Sequence, residues 1–142
     1  MKQPLGVILA GGQATRMGGG DKGLLQLGGQ SVLGHVIERL TPQVDRVALN
    51  ANGDAARFAG LKLPVLPDSI DGFAGPLAGV LAGLDWAAEQ GADTIVTAAA
   101  DTPFFPGDLV PQLLLASEGM THPLVLAATP DAKRGTARHP TF

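Results

Sequence analysis

A glycine-rich segment with two cationic side chains follows the first apolar run of the chain. It spans residues 9–22 and reads LAGGQATRMGGGDK. Consecutive glycines allow backbone N–H groups to approach an anion without a Cβ in the way. Arg16 offers phosphate oxygens a planar fork of donors, and Lys22 offers a compact charge on a flexible stem. These residue types in this order predict a polyphosphate site.

Two common phosphate-binding motifs do not describe this segment. A P-loop requires G-x-x-x-x-G-K-[ST], whereas Lys22 stands between Asp21 and Gly23. Gly18, Gly20 and Gly23 spell G-x-G-x-x-G, but they lie well past the predicted strand, and no acidic residue ends the next strand to hold a ribose. A solvated turn without a ligand is the remaining alternative. The two placed cations argue against it.

Three further polar residues stand where predicted strands end, namely Asn50, Asp68 and Asp101. In open α/β sheets, ligands bind beyond the carboxyl ends of the strands, so these side chains are expected to gather there with the glycine-rich segment. Asp101 leaves a buried-looking strand and is the candidate Mg²⁺ ligand, since magnesium needs only one or two carboxylates beside water and phosphate. A turn-forming role for Asp101 is the alternative.

The predicted elements that must position these residues alternate between strands and helices. Strands are predicted over residues 6–10, 46–51, 61–66, 94–100 and 124–129, and helices after Ser31, after Pro76 and over 108–116. Pro64 weakens the third strand and favours a place near the sheet edge. The alternation predicts an α/β fold with a doubly wound, mostly parallel sheet and helices on both faces.

The predicted helices have recognisable starts and apolar faces. Ser31 is the predicted cap of the first helix, whose apolar stripe consists of Leu33, Val36, Ile37 and Leu40. In the second helix, the spacing predicts a buried stripe formed by Leu77, Val80, Leu81 and Leu84. Gly79 and Gly83 lower helix propensity there and predict tight packing on the sheet.

Composition is consistent with this fold and excludes several classes of function. The chain has 142 residues, about one domain, with 45% hydrophobic and 16% charged residues, which suits a sheet covered on both faces. A net charge of −3 and 4% aromatic residues give no basic field or stacking platform for nucleic acid. Without cysteine, neither a disulfide nor a thiolate metal site is available. With no signal-like start and no apolar run of about twenty residues, we expect a cytoplasmic protein without a membrane partner.

The segment L-A-G-G-x-x-x-R-M-G-G-x-D-K resembles the signature of the molybdenum cofactor guanylyltransferases, which have a Rossmann-like nucleotidyltransferase fold. Molybdopterin cytidylyltransferases more often begin L-A-A-G, and sugar-nucleotide enzymes place a Pro before the Lys. The resemblance therefore favours guanine. It implies catalytic roles for Arg16, Lys22 and Asp101, with Asp101 binding Mg²⁺. The implied GTP-binding residues are Leu9, Ala10, Gly11, Gly12, Arg16, Lys22, Asn50, Asp68 and Asp101. A carboxylate at Asp68 could accept the N1 and N2 donors of guanine, but the sequence leaves open which of Asn50 and Asp68 contacts the base and which contacts the ribose.

The resemblance also implies a reaction, the transfer of GMP from GTP to the phosphate of molybdenum-bound molybdopterin with release of pyrophosphate. GTP and molybdopterin would be the partners, and proteins that deliver the cofactor to acceptor enzymes are further candidates. A cytidylyl or sugar-phosphate nucleotidyltransferase is the alternative within the same class. A non-catalytic nucleotide-binding module is the alternative from a different class.

We expect one nucleotidyltransferase domain over residues 1–142, and the resemblance runs from about Leu5 to Phe142. We expect this domain to be incomplete at its C-terminus, because family members usually continue further. Residues 139–142, HPTF, resemble the start of a family strand that leads into the segment contributing much of the pterin site. All nucleotide-site candidates precede this point. A chain of this length is therefore expected to bind GTP and Mg²⁺ but to transfer GMP poorly or not at all, and its unpaired sheet edge should lower its stability or favour association.

Overall fold

The computed structural model describes residues 3–10, 26–27, 30–51, 63–68, 77–100, 102, 105–121, 124–131 and 135–139. The strands are β1 (Leu5–Leu9), β2 (Gln26–Leu27), β3 (Gln30–Ser31), β4 (Val47–Asn50), β5 (Val65–Leu66), β6 (Ile95–Ala99), β7 (Ala127–Asp131) and β8 (Gly135–His139). The helices are α1 (Val32–Leu40), α2 (Leu77–Glu89) and α3 (Leu109–Ser117), and a 3₁₀ turn (Thr41–Gln43) follows α1.

Four parallel strands form the main sheet in the order β5, β4, β1, β6. The central strand β1 pairs with β4 and with β6, so that Val7 lies between Ala48 and Thr97. Among the described strands β5 pairs with β4 alone, so it lies at the edge of this sheet, as the proline in that segment predicted. When both faces of a strand are covered, consecutive residues are apolar because each of them is buried. This explains the sequence LGVIL of β1.

Helices cover both faces of this sheet. Side chains of alternate strand residues, represented by Ile8, pack against α1 and α3 on one face. The intervening residues, represented by Val7, pack with Trp86 and Ala87 of α2 on the other face. The doubly wound α/β architecture predicted from the order of elements is therefore confirmed.

The first helix begins and is buried as its sequence predicted. The Ser31 hydroxyl accepts a hydrogen bond from the Gly34 N–H at 2.9 Å, which satisfies a backbone donor at the helix start. Leu33, Val36 and Leu40 of α1 are buried in the core between the helix and the sheet. A serine cap followed by an apolar stripe was sufficient to place this helix.

The predicted core stripe of α2 is wrong. Leu77, Leu81 and Leu84 are 65%, 37% and 45% exposed, and the face that packs on the sheet consists of Ala78, Gly79, Ala82, Gly83, Trp86 and Ala87. The reason is close approach of the helix to the strands. A Cβ placed on Gly83 would lie 2.9 Å from Val7 Cγ2, a separation that leaves no room for leucine side chains on this face.

The C-terminal part of the described chain forms an antiparallel hairpin. β7 pairs with β8 from Ala127 opposite His139 to Asp131 opposite Gly135, and this pair is separate from the parallel sheet. The strand predicted over 124–129 is observed over 127–131 instead. The strand β8 was not predicted. His139 is the last described residue of β8. The strand that the family resemblance implies from His139 onwards falls on residues 140–142, which lie outside the described residues. Local strand signals do not say whether a strand pairs with its neighbour or joins a distant sheet.

The short β2–β3 pair was also not predicted from the sequence. Within the ranges given above, no helix is long and apolar enough to span a membrane.

Matched leucine-to-alanine substitutions test which helix faces form the core. Leu33→Ala, at a residue 1% exposed, is expected to lower the free energy of unfolding by about 2–5 kcal/mol. Leu77→Ala should change it by about 0.5 kcal/mol or less, because the side chain lies largely in solvent. Urea denaturation measures both. Equal losses would show that the outer face of α2 is covered in solution.

Candidate functional site

Hydrogen bonds align the carboxyl ends of the parallel strands. The N–H of Ala10 donates to the carbonyl of Asn50 at 2.8 Å, and the N–H of Ala100 donates to the carbonyl of Leu9 at 3.1 Å. Ala10 is the second residue of the glycine-rich segment, and Ala100 immediately precedes Asp101, the predicted metal ligand. Both predicted functional segments therefore start from the same edge of the sheet.

Asn50 connects β4 to the chain that leaves β5. Its side chain is buried, with 2% exposed. The amide nitrogen Nδ2 donates to the carbonyl of Leu66 at 3.0 Å and to Oδ1 of Asp68 at 3.0 Å. The same Leu66 carbonyl accepts the N–H of Ala51 at 3.0 Å. One side chain thus extends the β4–β5 pairing beyond the last strand residues.

The orientation of the Asn50 amide follows from its partners. A carbonyl oxygen and a carboxylate oxygen are both acceptors, so the group that faces them must be the NH₂ end. With the amide reversed, Asn50 Oδ1 would face the Leu66 carbonyl oxygen and Asp68 Oδ1, and no hydrogen would lie between these oxygens. An NH₂ group has two hydrogens, and the two acceptors use both of them.

Asp68 is also a predicted site residue, and the structure places it in contact with Asn50. It is half-buried, and its carboxylate receives the Asn50 amide although the two residues are 18 positions apart. The sequence predicted that both would lie at the ligand edge, and the structure places them side by side. It did not predict their hydrogen bond, because nothing in the local pattern of either segment refers to the other.

Gly79 of α2 borders this pair and was not among the predicted site residues. A Cβ built on Gly79 would overlap Asn50 Oδ1, and it would lie 2.8 Å from Asn50 Cγ and 3.0 Å from Leu9 Cδ2. The absence of a side chain here lets the helix backbone lie against the Asn50 amide. The available signal was a pair of glycines four residues apart in a helix, which predicted tight packing on the sheet but no partner.

Five predicted site residues lie outside the described residues and stay predictions: Gly11, Gly12, Arg16, Lys22 and Asp101. In the described part of the chain, no three His, Cys, Asp or Glu side chains form a group that could hold a metal ion. Magnesium does not require such a group, because it commonly keeps water and substrate oxygens as ligands. The Asp68 carboxylate, which the structure describes at this edge, provides hard oxygen donors, and that donor type fits Mg²⁺.

Comparison with known proteins adds an independent line of information. The family described as "MobA-like NTP transferase domain" matches residues 6–142. A molybdenum cofactor guanylyltransferase of Mesorhizobium japonicum is 54% identical over 138 residues, which cover 96% of this chain and 64% of the relative. A protein of the same name from Cereibacter sphaeroides is 62% identical over 114 residues, covering 80% of this chain and 58% of the relative. The chain thus spans about three-fifths of the length of these relatives.

A solved structure shares the fold. Molybdopterin-guanine dinucleotide biosynthesis protein A from Archaeoglobus fulgidus superposes with a TM-score of 0.66 and 21% sequence identity. The match covers 97% of this chain and 65% of that one. This likeness supports the parallel-sheet nucleotidyltransferase architecture.

Asn50→Asp tests whether the amide hydrogen bonds stabilise the strand ends. The substitution keeps the shape of the side chain but replaces a donor with an acceptor facing two acceptors. We expect the free energy of unfolding to fall by about 1–3 kcal/mol, the usual cost of a buried polar group that loses its partner. Chemical denaturation at neutral pH measures the change. An unchanged stability would contradict the assigned orientation of the amide.

Proposed function

We propose, since this chain belongs to the MobA-like NTP transferase family, that it carries the GTP site of a molybdenum cofactor guanylyltransferase. The reaction is transfer of GMP from GTP to the phosphate of molybdenum-bound molybdopterin. The observation that carries the proposal is the Asp68 carboxylate held by Asn50 at the carboxyl edge of the sheet. This edge adjoins the end of β1, from which the glycine-rich segment continues.

Asp68 supplies the preference for guanine. The N1–H and N2–H₂ groups of guanine are adjacent donors that a carboxylate can accept together, and cytosine does not present this arrangement. Each carboxylate oxygen has more than one lone pair, so a carboxylate bound to the Asn50 amide can still accept further donors. Hydrogen bonds to a charged acceptor are the stronger kind, about 1.5–3 kcal/mol each. A site built on them discriminates between bases that offer and lack the donors.

The glycine-rich segment holds the triphosphate. In this proposal the backbone N–H groups of Gly11 and Gly12 would bind the phosphates, since the N–H of Ala10 already donates to the Asn50 carbonyl. Arg16 and Lys22 would neutralise the phosphate charge. These cations also stabilise the charge that develops on the leaving pyrophosphate. Mg²⁺ bound by Asp101 would supply additional neutralisation of the phosphate oxygens.

The chemistry requires alignment rather than a protein nucleophile. An oxygen of the pterin phosphate forms a bond to the α-phosphorus of GTP, and the bond from that phosphorus to the bridging oxygen of the β-phosphate breaks. Pyrophosphate leaves with the electron pair. The attacking phosphate is already anionic at neutral pH, so the chain needs no general base.

The proposal places the reaction in the cytoplasm, the compartment that supplies GTP. Molybdopterin is the second substrate, and proteins that receive or deliver the finished cofactor are the expected protein partners. A cytidylyltransferase and a non-catalytic nucleotide-binding module are the alternatives that the two experiments below distinguish.

Nucleotide competition tests the base assignment. The protein is expected to bind GTP more tightly than CTP or ATP, because Asp68 accepts the guanine donors. Isothermal titration calorimetry with each nucleotide and MgCl₂ measures the three dissociation constants. Equal or tighter binding of CTP would overturn the guanylyl assignment and leave the nucleotidyltransferase fold in place.

Substitutions in the phosphate region test catalysis. Lys22→Ala is expected to lower turnover by about 10²–10³, the usual effect of removing one preorganised charge-stabilising donor. Asp101→Ala should abolish activity and weaken its dependence on magnesium. Pyrophosphate release by the complete enzyme measures turnover, and Arg39→Ala, at an exposed position on α1, serves as the control. Parental turnover in either test variant with an unchanged melting temperature would refute its catalytic role.

A further inference from the structure

We propose that Gly79 and Asn50 are positioning residues for base selection. Gly79 leaves the space that the Asn50 amide occupies, and the amide fixes the Asp68 carboxylate that contacts guanine. This inference rests on the proposed GTP site and assigns the origin of its selectivity. It separates Asp68, which contacts the base, from two residues that act through it.

The Asn50 side-chain amide has no hydrogen left to donate to a ligand. Both hydrogens of its NH₂ group are used, one by the Leu66 carbonyl and one by Asp68. Asn50 is buried, with 2% of its surface exposed to solvent. A ligand could obtain a donor from this amide only by displacing Leu66 or Asp68. The amide therefore serves the site by orienting the carboxylate.

The Asn50 amide is also confined between two stretches of backbone, at Leu66 and at Gly79. On one side it bonds the Leu66 carbonyl, which is already part of the β4–β5 backbone pairing. On the opposite side it meets the α2 backbone at Gly79, where an added methyl group would overlap Oδ1. Helix α2 cannot withdraw freely, because Trp86 and Ala87 anchor it in the core. A side chain at residue 79 would thus displace the amide and release Asp68.

Gly83 provides a matched control on the same helix face. Gly83 lies one helical turn after Gly79. A Cβ on Gly83 would lie 2.9 Å from Val7 Cγ2 and 3.2 Å from Ile95 Cδ1, which are the ends of apolar side chains. Glycine-to-alanine substitution gives both positions the same gain in helix propensity. Gly83→Ala therefore perturbs packing between α2 and the sheet without touching the positioning pair.

The experiment compares the ratio of CTP to GTP dissociation constants in the parent, Gly79→Ala and Gly83→Ala. Losing the orientation of one charged acceptor should reduce the ratio by about tenfold in Gly79→Ala, and Gly83→Ala should retain the parental ratio. NMR of the Asn50 side-chain amide supplies a readout that needs no nucleotide. Its two protons should be protected from exchange in the parent and in Gly83→Ala, and should lose protection in Gly79→Ala.

A double-mutant cycle with Asn50→Ala keeps the test decisive if Gly79→Ala alone folds poorly. Removing the amide creates room for the methyl group, so Gly79→Ala should cause no further loss of selectivity in that background. Additive losses, or a parental nucleotide ratio in folded Gly79→Ala, would overturn the positioning role. A parent protein without preference for GTP would instead contradict the proposed function, and unchanged amide protection in Gly79→Ala would separately contradict the contact.

Discussion

The side-chain amide of Asn50 contacts three parts of the molecule that are separated along the chain: the end of β4, the chain leaving β5 and the first turn of α2. β5 contributes only two paired residues at the sheet edge, and a strand this short gives its C-terminal extension little support by itself. The amide extends that support through the Leu66 carbonyl and Asp68. The position of the candidate base-reading carboxylate therefore depends on a buried side chain rather than on a long strand.

The same constraint explains the unusual distribution of side chains on α2. A helix that touches a buried amide must bring its backbone close to the sheet, and close approach excludes large side chains from the contact face. Alanine and glycine occupy that face up to Gly83, and Trp86 packs on the sheet only in the last part of the helix. Leu77, Leu81 and Leu84 remain exposed. Burial of apolar area would favour the opposite arrangement. Here the geometry of the contact determines which face is buried, and hydrophobicity alone does not.

The proposed chemistry agrees with this kind of construction. Nucleotidyl transfer to an existing phosphate needs aligned anions and placed positive charge, and it needs no activated serine or cysteine. The chain has no cysteine, and the two candidate polar residues that the structure describes, Asn50 at the end of β4 and Asp68 just after β5, are held together at the carboxyl edge of the sheet. In the proposed function, this placement is the contribution of the fold to selectivity.

Local sequence was enough to predict the alternation of the four parallel strands with α1, α2 and α3, the serine cap of α1, the edge position of β5 and the edge at which Asn50 and Asp68 lie. These features depend on local periodicity, capping and turn chemistry, which neighbouring residues specify. The buried face of α2, the β7–β8 hairpin and the hydrogen bond between Asn50 and Asp68 were decided only by tertiary structure. Each of these depends on the shape or pairing of a partner elsewhere in the chain, and an element's own pattern contains no information about that partner.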